Sequence, residues 1–306
     1  MKKTKALVTG GAGFIGSHVV DALIEKGYEV VVVDNLSTGK KENLNSKAKF
    51  YNLDILSQKL VGIFKKEKPE YVFHLAAQIN VLKSIVKPLE DATINILGSI
   101  NVLENCREYK VKKIIFSSSG GAIFGDANIM PTPDTMSAKP GSPYGIDKLT
   151  VDNYLNFYYK IYGLKYISLR YANVYGPRQN AFGEAGVIAI FVDQLTKGKD
   201  LIINGDGRQT RDFVYVTDVV NANLLALKSP KVGIYNIGTG IETSINDLVK
   251  ILITNIRVTG KSIKIIHKPA KEGEVRRSCL SSKQIYKDLG WEPKYDIVKV
   301  FKHFEV

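Results

Sequence analysis

The sequence predicts an α/β protein built on a doubly wound parallel sheet with a smaller C-terminal α/β lobe. Two observations predict it. Short apolar runs alternate with stretches of helical periodicity through the first half of the chain. A glycine-rich turn, Thr9-Gly10-Gly11-Ala12-Gly13-Phe14-Ile15-Gly16, lies between the first apolar run and the first helical stretch. Runs that are apolar on both faces belong to strands covered by helices on both sides. A glycine turn feeding a helix N-terminus is the phosphate-binding corner of a Rossmann sheet.

The elements follow in order. Ala6-Leu7-Val8-Thr9 reads as a buried strand, and residues 14–26 carry helical spacing that ends at Gly27. Residues 29–33 form a β-branched second strand. Tyr71-Val72-Phe73-His74 and Lys113-Ile114-Ile115-Phe116-Ser117 are two more strands. Residues 94–109 predict one helix. Residues 143–162 predict another, with Ser142 at the N-cap, Pro143 at the first helical position and Gly163 just past the end. After Gly176-Pro177 turns become frequent, as in Asn204-Gly205-Asp206-Gly207 and Gly238-Thr239-Gly240. We therefore expect a dinucleotide-binding domain over 1–176. Residues 177–306 would mainly form the substrate lobe, with some segments returning to the sheet.

Composition narrows the function classes. The chain has 306 residues, 44% hydrophobic and 24% charged, which suits a globular protein with a sizeable core. No apolar run approaches the ~20 residues of a membrane helix. The basic start, Met1 to Lys5, is followed by too short an apolar stretch for a signal peptide. Cys106 and Cys279 make neither a disulfide framework nor a metal site. The expectation is a cytoplasmic protein without metal and without membrane or nucleic-acid partners. The net charge of +13 does not argue against this, because 35 of the 43 basic residues are lysines scattered along the chain.

The glycine turn implies a bound dinucleotide. Gly10 permits the tight turn, Gly13 lets the backbone approach a pyrophosphate, and Gly16 allows close helix–strand packing. Asp34 ends the second strand, eighteen residues past Gly16. A carboxylate there accepts both ribose hydroxyls and repels an extra phosphate. Its neighbours Asn35, Leu36 and Ser37 offer no arginine, so NAD is expected over NADP. Asp54 and Ile55 follow the third strand region, within reach of an adenine. Leu75, Ala76, Ala77 and Gln78 follow the fourth, where small residues leave room for the cofactor. Phe14, Ile15, Gly39 and Ser117 complete the expected cofactor contacts. Asn95 is either a polar contact to the cofactor or a capping amide.

Tyr144 and Lys148 are four residues apart and share one helix face. An ammonium beside a phenol favours the phenolate, and a tyrosine of pKa ~10 needs such help to act as a base near neutrality. Before them, Ser117-Ser118-Ser119 closes a parallel strand at its C-terminal end, where ligands bind.

These segments, with His74-Leu75-Ala76-Ala77, Arg170 to Pro177 and Arg211 to Asp218, resemble the extended short-chain dehydrogenase/reductase family, and within it the UDP-glucose 4-epimerases. The resemblance covers essentially the whole chain. It implies that Tyr144 deprotonates the sugar's 4-hydroxyl while hydride passes to NAD and back to the opposite face. It implies that Lys148 orients the nicotinamide ribose and that Ser119 holds the 4-oxygen. The loop Gly120-Gly121-Ala122 is one residue longer than the family's, so Ser118 stays open as the alternative hydroxyl. Glycines at 120 and 121 offer no acid pair and so disfavour dehydratase chemistry.

The resemblance also implies UDP contacts from Asn173 and Arg211, with Val187 and Asn204 in the substrate pocket. Lys271 and Glu274 stand where the family has arginine and aspartate, so a phosphate contact passes to Arg276, with either Arg276 or Arg277 left as surface charge. Ser278 stands where a bulky residue would limit the pocket, which extends the expected substrates to UDP-N-acetylhexosamines. A homodimer through the 94–109 and 143–162 helices is expected likewise. The alternatives on the same scaffold are a uronate 4-epimerase, a sugar-nucleotide reductase, or a non-catalytic NAD-binding module.

Overall fold

The computed structural model describes residues 3–181, 186–256, 263–270 and 275–302. The chain begins with β1 (Lys5–Thr9), α1 (Phe14–Glu25), β2 (Glu29–Asp34), β3 (Lys49–Asn52), α2 (Leu60–Glu67) and β4 (Tyr71–His74). Two short helices, α3 (Val81–Val86) and α4 (Pro88–Ala92), lead through a π-helical turn (Thr93–Leu97) into α5 (Gly98–Glu108). Then come β5 (Lys113–Ser119), α6 (Gly120–Ile123), α7 (Pro143–Tyr162), β6 (Lys165–Tyr171) and β7 (Asn173–Tyr175). The later elements are α8 (Val187–Thr196), β8 (Leu201–Asn204), β9 (Thr210–Arg211), β10 (Phe213–Tyr215), α9 (Val216–Lys228) and β11 (Gly233–Ile237). They are followed by β12 (Thr243–Ser244), α10 (Ile245–Asn255), β13 (Ile265–Lys268), β14 (Arg277–Ser278), α11 (Lys283–Leu289) and α12 (Ile297–Lys302).

Seven parallel strands form the main sheet in the order β11-β6-β5-β4-β1-β2-β3. The order reverses between β1 and β4, and that crevice at the strand C-termini is where such sheets bind ligands. The Val30 to Val33 run of β2 is almost wholly buried, its side chains pointing alternately to the two faces. Each such valine removed from water contributes about 1.5–3 kcal/mol. One face packs against α1, α9 and α11, the other against α2, α5 and α7. β11 returns from the second half of the chain to the sheet edge beside β6.

The remaining small sheets, β7–β10, β8–β13 and β12–β9–β14, surround a separate core that includes Tyr175, Phe191, Leu248 and Phe301. They stand over the strand ends and supply the far wall of the site. Among the described residues no helix is long and apolar enough to cross a membrane.

The predicted 143–162 helix forms with its caps as expected. Ser142 Oγ accepts from Gly145 N at 3.3 Å, and Gly163 sits at φ 71°. The predicted 94–109 helix differs. Its start is wound as a π turn continuous with α4, a local widening that periodicity does not reveal.

Candidate active site

A cavity of about 800 Å³ opens at the C-terminal end of the sheet, a volume in the upper part of the range for small-molecule sites. Its floor begins at the glycine turn. Gly10 has φ 71°, and a Cβ there would lie 2.7 Å from Ala76 N. A Cβ on Gly16 would fall inside the van der Waals envelope of Gly10 O and 2.9 Å from Gly10 C. Gly13 caps α1 with extended backbone and no side-chain cap bond, so the first amides of α1 are not covered by a capping side chain. This is the cradle a pyrophosphate requires.

Asp34 is buried at the end of β2. Its Oδ2 accepts from Ala12 N at 3.0 Å and its Oδ1 from Leu36 N at 2.8 Å. A Cβ on Gly39 would come within 2.9 Å of Oδ1, so the glycine makes room for the carboxylate. Asn35 Nδ2 donates to Asp54 Oδ2 at 2.7 Å, joining the ends of β2 and β3 along the same wall. Leu75, Ala76, Ala77 and Gln78 continue the wall after β4. Asn95, on the π turn, fixes this segment: its Oδ1 accepts from Gln78 N at 2.9 Å and its Nδ2 donates to Gln78 O at 3.0 Å. Between the two readings of Asn95, the geometry gives it a backbone clamp behind the cavity wall.

His74, the last residue of β4, bonds Thr9 Oγ1 at 2.7 Å and Ser99 Oγ at 2.9 Å. Complete burial lowers it to about 3, with the Lys148 ammonium adding to the effect. It is therefore a neutral cross-brace between β1, β4 and α5.

Tyr144 and Lys148 lie on the inner face of α7 and are only 9% and 4% exposed. Lys148 Nζ donates to Ser117 O at 2.8 Å and sits 4.7 Å from the Phe116 ring centre and 5.8 Å from that of Tyr144. Burial pulls its ammonium down to about 8, resisted by the carboxylates of Asp152, Asp91 and Asp147. Ser118 points to the α7 side of β5, where Asp152 Oδ2 takes its hydroxyl at 3.4 Å. Asp152 also accepts from Ser168 Oγ and Arg170 Nε, so α7 is tied to β5 and β6. Ser119, one residue on, ends β5 partly exposed on the cavity wall.

The far wall brings in Asn173, Arg211 and Ser278. Gly121 faces them: a Cβ there would meet only Ser278 Oγ at 3.6 Å and Asn173 Oδ1 at 4.0 Å. Gly13, Phe14, Ile15, Ser37, Ile55 and Ser117 also line the cavity.

Five expected site residues stand off the wall. Leu36 adopts φ 58° and turns its amide to Asp34. Asn95 clamps from behind. Val187 opens α8, leaving Gly186 to line the cavity. Asn204 O accepts from Gln209 Nε2. Arg276 is engaged in a two-pronged pair with Asp206 at 2.8 Å on both prongs, holding that carboxyl well below the usual carboxylate range. Lys271 and Glu274 lie outside the described residues.

The cavity also contains residues that the motifs do not announce. Lys83 lines it from the first turn of α3, where Asn80 Oδ1 caps Lys83 N at 2.8 Å and Glu90 holds Lys83 Nζ at 2.8 Å. Gln179 lines it as well. The one available signal for Lys83 was an asparagine N-cap soon after a strand end.

The model of the NAD dependent epimerase/dehydratase family matches residues 6–238. The chain belongs to that family. Its architecture follows solved epimerases along nearly its whole length. UDP-glucose 4-epimerase from Thermotoga maritima, solved with UDP-glucose, is 51% identical with a TM-score of 0.95, covering 98% of this chain and 96% of its own. UDP-glucose 4-epimerase from Thermus thermophilus, solved with NAD, is 41% identical with a TM-score of 0.92 and coverages of 98% and 97%. UDP-N-acetylglucosamine 4-epimerase from Methanobrevibacter ruminantium, solved with UDP-N-acetylmuramic acid, is 35% identical with a TM-score of 0.91 and coverages of 99% and 97%. As a member of the NAD-dependent epimerase family, the chain uses NAD, and the glycine cradle fits it. Only a bare backbone at positions 10 and 16 leaves room for the turn, and Asp34 ends the strand beside it.

Proposed function

We propose that the chain is a UDP-glucose 4-epimerase that interconverts UDP-glucose and UDP-galactose. The observation that carries this reading is one cavity in which Tyr144 and Lys148 stand between the glycine cradle and the Asn173–Arg211–Ser278 wall. NAD supplies, when bound, a hydride acceptor and donor for C4 of the sugar.

The chain's own groups do the rest. Tyr144 Oη takes the proton from the sugar's 4-hydroxyl and returns it. The Lys148 ammonium, fixed by Ser117 O, supplies the positive potential that makes phenolate accessible. Ser119 hydrogen-bonds the 4-oxygen, since Asp152 engages the Ser118 hydroxyl. Asn173 and Arg211 hold the nucleotide end, the guanidinium suiting a diphosphate. Inverting C4 requires that both sugar faces reach the same hydride position. The small side chains at Gly121 and Ser278 leave space for that turn. Incubation with UDP-galactose and no added cofactor is expected to yield UDP-glucose. A demand for stoichiometric nicotinamide would assign the chain to a reductase instead.

The same space extends the substrates to UDP-N-acetylhexosamines. Ser278→Tyr is expected to lower turnover of UDP-N-acetylglucosamine by at least about tenfold while UDP-glucose turnover is largely kept, because a pocket filled by a ring excludes the acetyl group. Equal losses on both substrates would refute that role for Ser278.

The reading includes a homodimer and a cytoplasmic location. Leu97 beside α5, and Ile146, Phe157 and Ile161 on α7, are 46–61% exposed, an apolar surface suited to burial against a second copy. Phe157→Glu with Ile161→Glu should halve the mass seen by light scattering. An unchanged mass would exclude this face as the interface. The two cysteines are unpaired and buried, in keeping with a reducing compartment.

A further inference from the structure

A pair of buried acids beside the site enters the chemistry above only through its field at Lys148. Asp91 on α4 and Asp147 on α7 are 1% and 4% exposed. α4 and α7 pack together, and the Asp91 carboxyl lies close enough to act on that of Asp147. Oδ2 of each is buried and receives no donor. Asp91 Oδ1 is occupied, accepting from Gln78 Nε2 at 2.6 Å and Asn95 Nδ2 at 3.0 Å.

Ionised carboxylates have only lone pairs to offer. Two of them facing each other in a dry interior repel and leave both oxygens unsatisfied. A single proton removes both costs, since it makes one acid a donor and halves the buried charge.

The Lys148 ammonium offsets part of the pair's charge through space, but among the described residues none of the surrounding groups is seen to supply the missing donor. On α7, Lys148 Nζ donates to Ser117 O, and Asp152 is engaged by Ser168 and Arg170. On β4, His74 is fastened to Thr9 and Ser99. On α3 and α4, Lys83 and Lys87 pair with Glu90 near the surface.

The pair joins two parts of the active site. Asp91 grips Gln78, the end of the cofactor-lining segment, while Asp147 precedes Lys148 and follows Tyr144 by three residues. We propose that Asp91 and Asp147 share one proton, and that the protonated pair is a positioning element locking the segment from Leu75 to Gln78 onto the helix that carries Tyr144 and Lys148. Burial and the facing Asp91 carboxyl raise Asp147 to about 7, in agreement with a shared proton. The inference deepens the epimerase reading, but its spectroscopic arm needs no substrate and so can fail separately from it.

The test compares the full-length wild type with Asp147→Asn and Asp147→Leu, each loaded with NAD. Infrared difference spectra at pH 6, wild type minus Asp147→Asn, are expected to contain the carbonyl stretch of a protonated carboxylic acid. The amide of Asp147→Asn still donates to Asp91 and should keep kcat to within about threefold. Asp147→Leu leaves Asp91 charged, with its Oδ2 still buried and without a donor. It should weaken NAD retention and lower kcat by about tenfold each, with KM for the sugar nucleotide nearly unchanged. Should the leucine variant fail to fold, the infrared difference still decides. Absence of the acid band from that difference, or an asparagine variant as impaired as the leucine variant, would overturn the proposal.

Discussion

Tyr144→Phe is expected to lower kcat by about 10²–10⁴-fold, the usual contribution of a positioned general base, with bound NAD and KM nearly unchanged. The ring is what packs: Tyr144 is almost wholly buried at the start of α7, and phenylalanine fills the same volume. Only the hydroxyl is lost, so stability is spared while the proton path is removed. The variant therefore separates chemistry from binding, as a drop in kcat alone marks an interaction made only in the transition state. A variant with more than about a third of wild-type turnover would remove Tyr144 from the role of base.

Lys148 gives this expectation a pH signature. Burial brings its ammonium down to about 8. The charged form that supports the phenolate is thus present at neutral pH and is lost as pH rises through that value. Activity should decline on the alkaline side with Lys148 deprotonation. Lys148→Met, neutral at every pH, should have low activity with that decline removed. The residue cannot swing away in the wild type, because Ser117 O holds Nζ and the Phe116 ring lies beneath it.

The parts of this site that are legible in the sequence are those specified locally. The glycine turn, the Ser142 cap and the four-residue spacing of Tyr144 and Lys148 each depend on neighbours within a turn or two. The strand that ends in Asp34 is legible because its valines are buried on both faces. What stays hidden depends on contacts between distant segments. Asn95 clamps Gln78 because a π turn widens the helix there, and no spacing rule registers one extra residue. Both Ser118 and Ser119 line the cavity, and what sets them apart is Asp152, 34 residues from Ser118 on another element. Arg276 pairs with Asp206, 70 residues distant, a partner that no local pattern announces. Asp147 reads as an ordinary helix-surface acid until α4 is packed over it, which brings Asp91 to its side.

Gly16→Ala is expected to abolish stable NAD binding and with it activity, although it adds one methyl group. The added Cβ would lie inside the envelope of Gly10 O, 2.9 Å from Gly10 C and 3.1 Å from Gly11 Cα. All three are backbone atoms of the turn, so no side chain can rotate away to make room. Either α1 moves off the sheet or the turn opens, and both displace the amides that would hold a pyrophosphate. Overpacking of this kind costs about 1–3 kcal/mol of stability. The loss of affinity should exceed the tenfold that about 1.4 kcal/mol represents, because several amides move together. Gly62→Ala is the matched control. It lies within α2, exposed, with nothing within 4 Å of a Cβ, so helix propensity alone should make it neutral or stabilising by up to about 1 kcal/mol. Calorimetric titration of NAD into the two cofactor-stripped variants measures the contrast. If Gly16→Ala binds NAD as tightly as Gly62→Ala, close approach at position 16 is not what the cofactor requires, and the cradle must be supported by the remaining glycines.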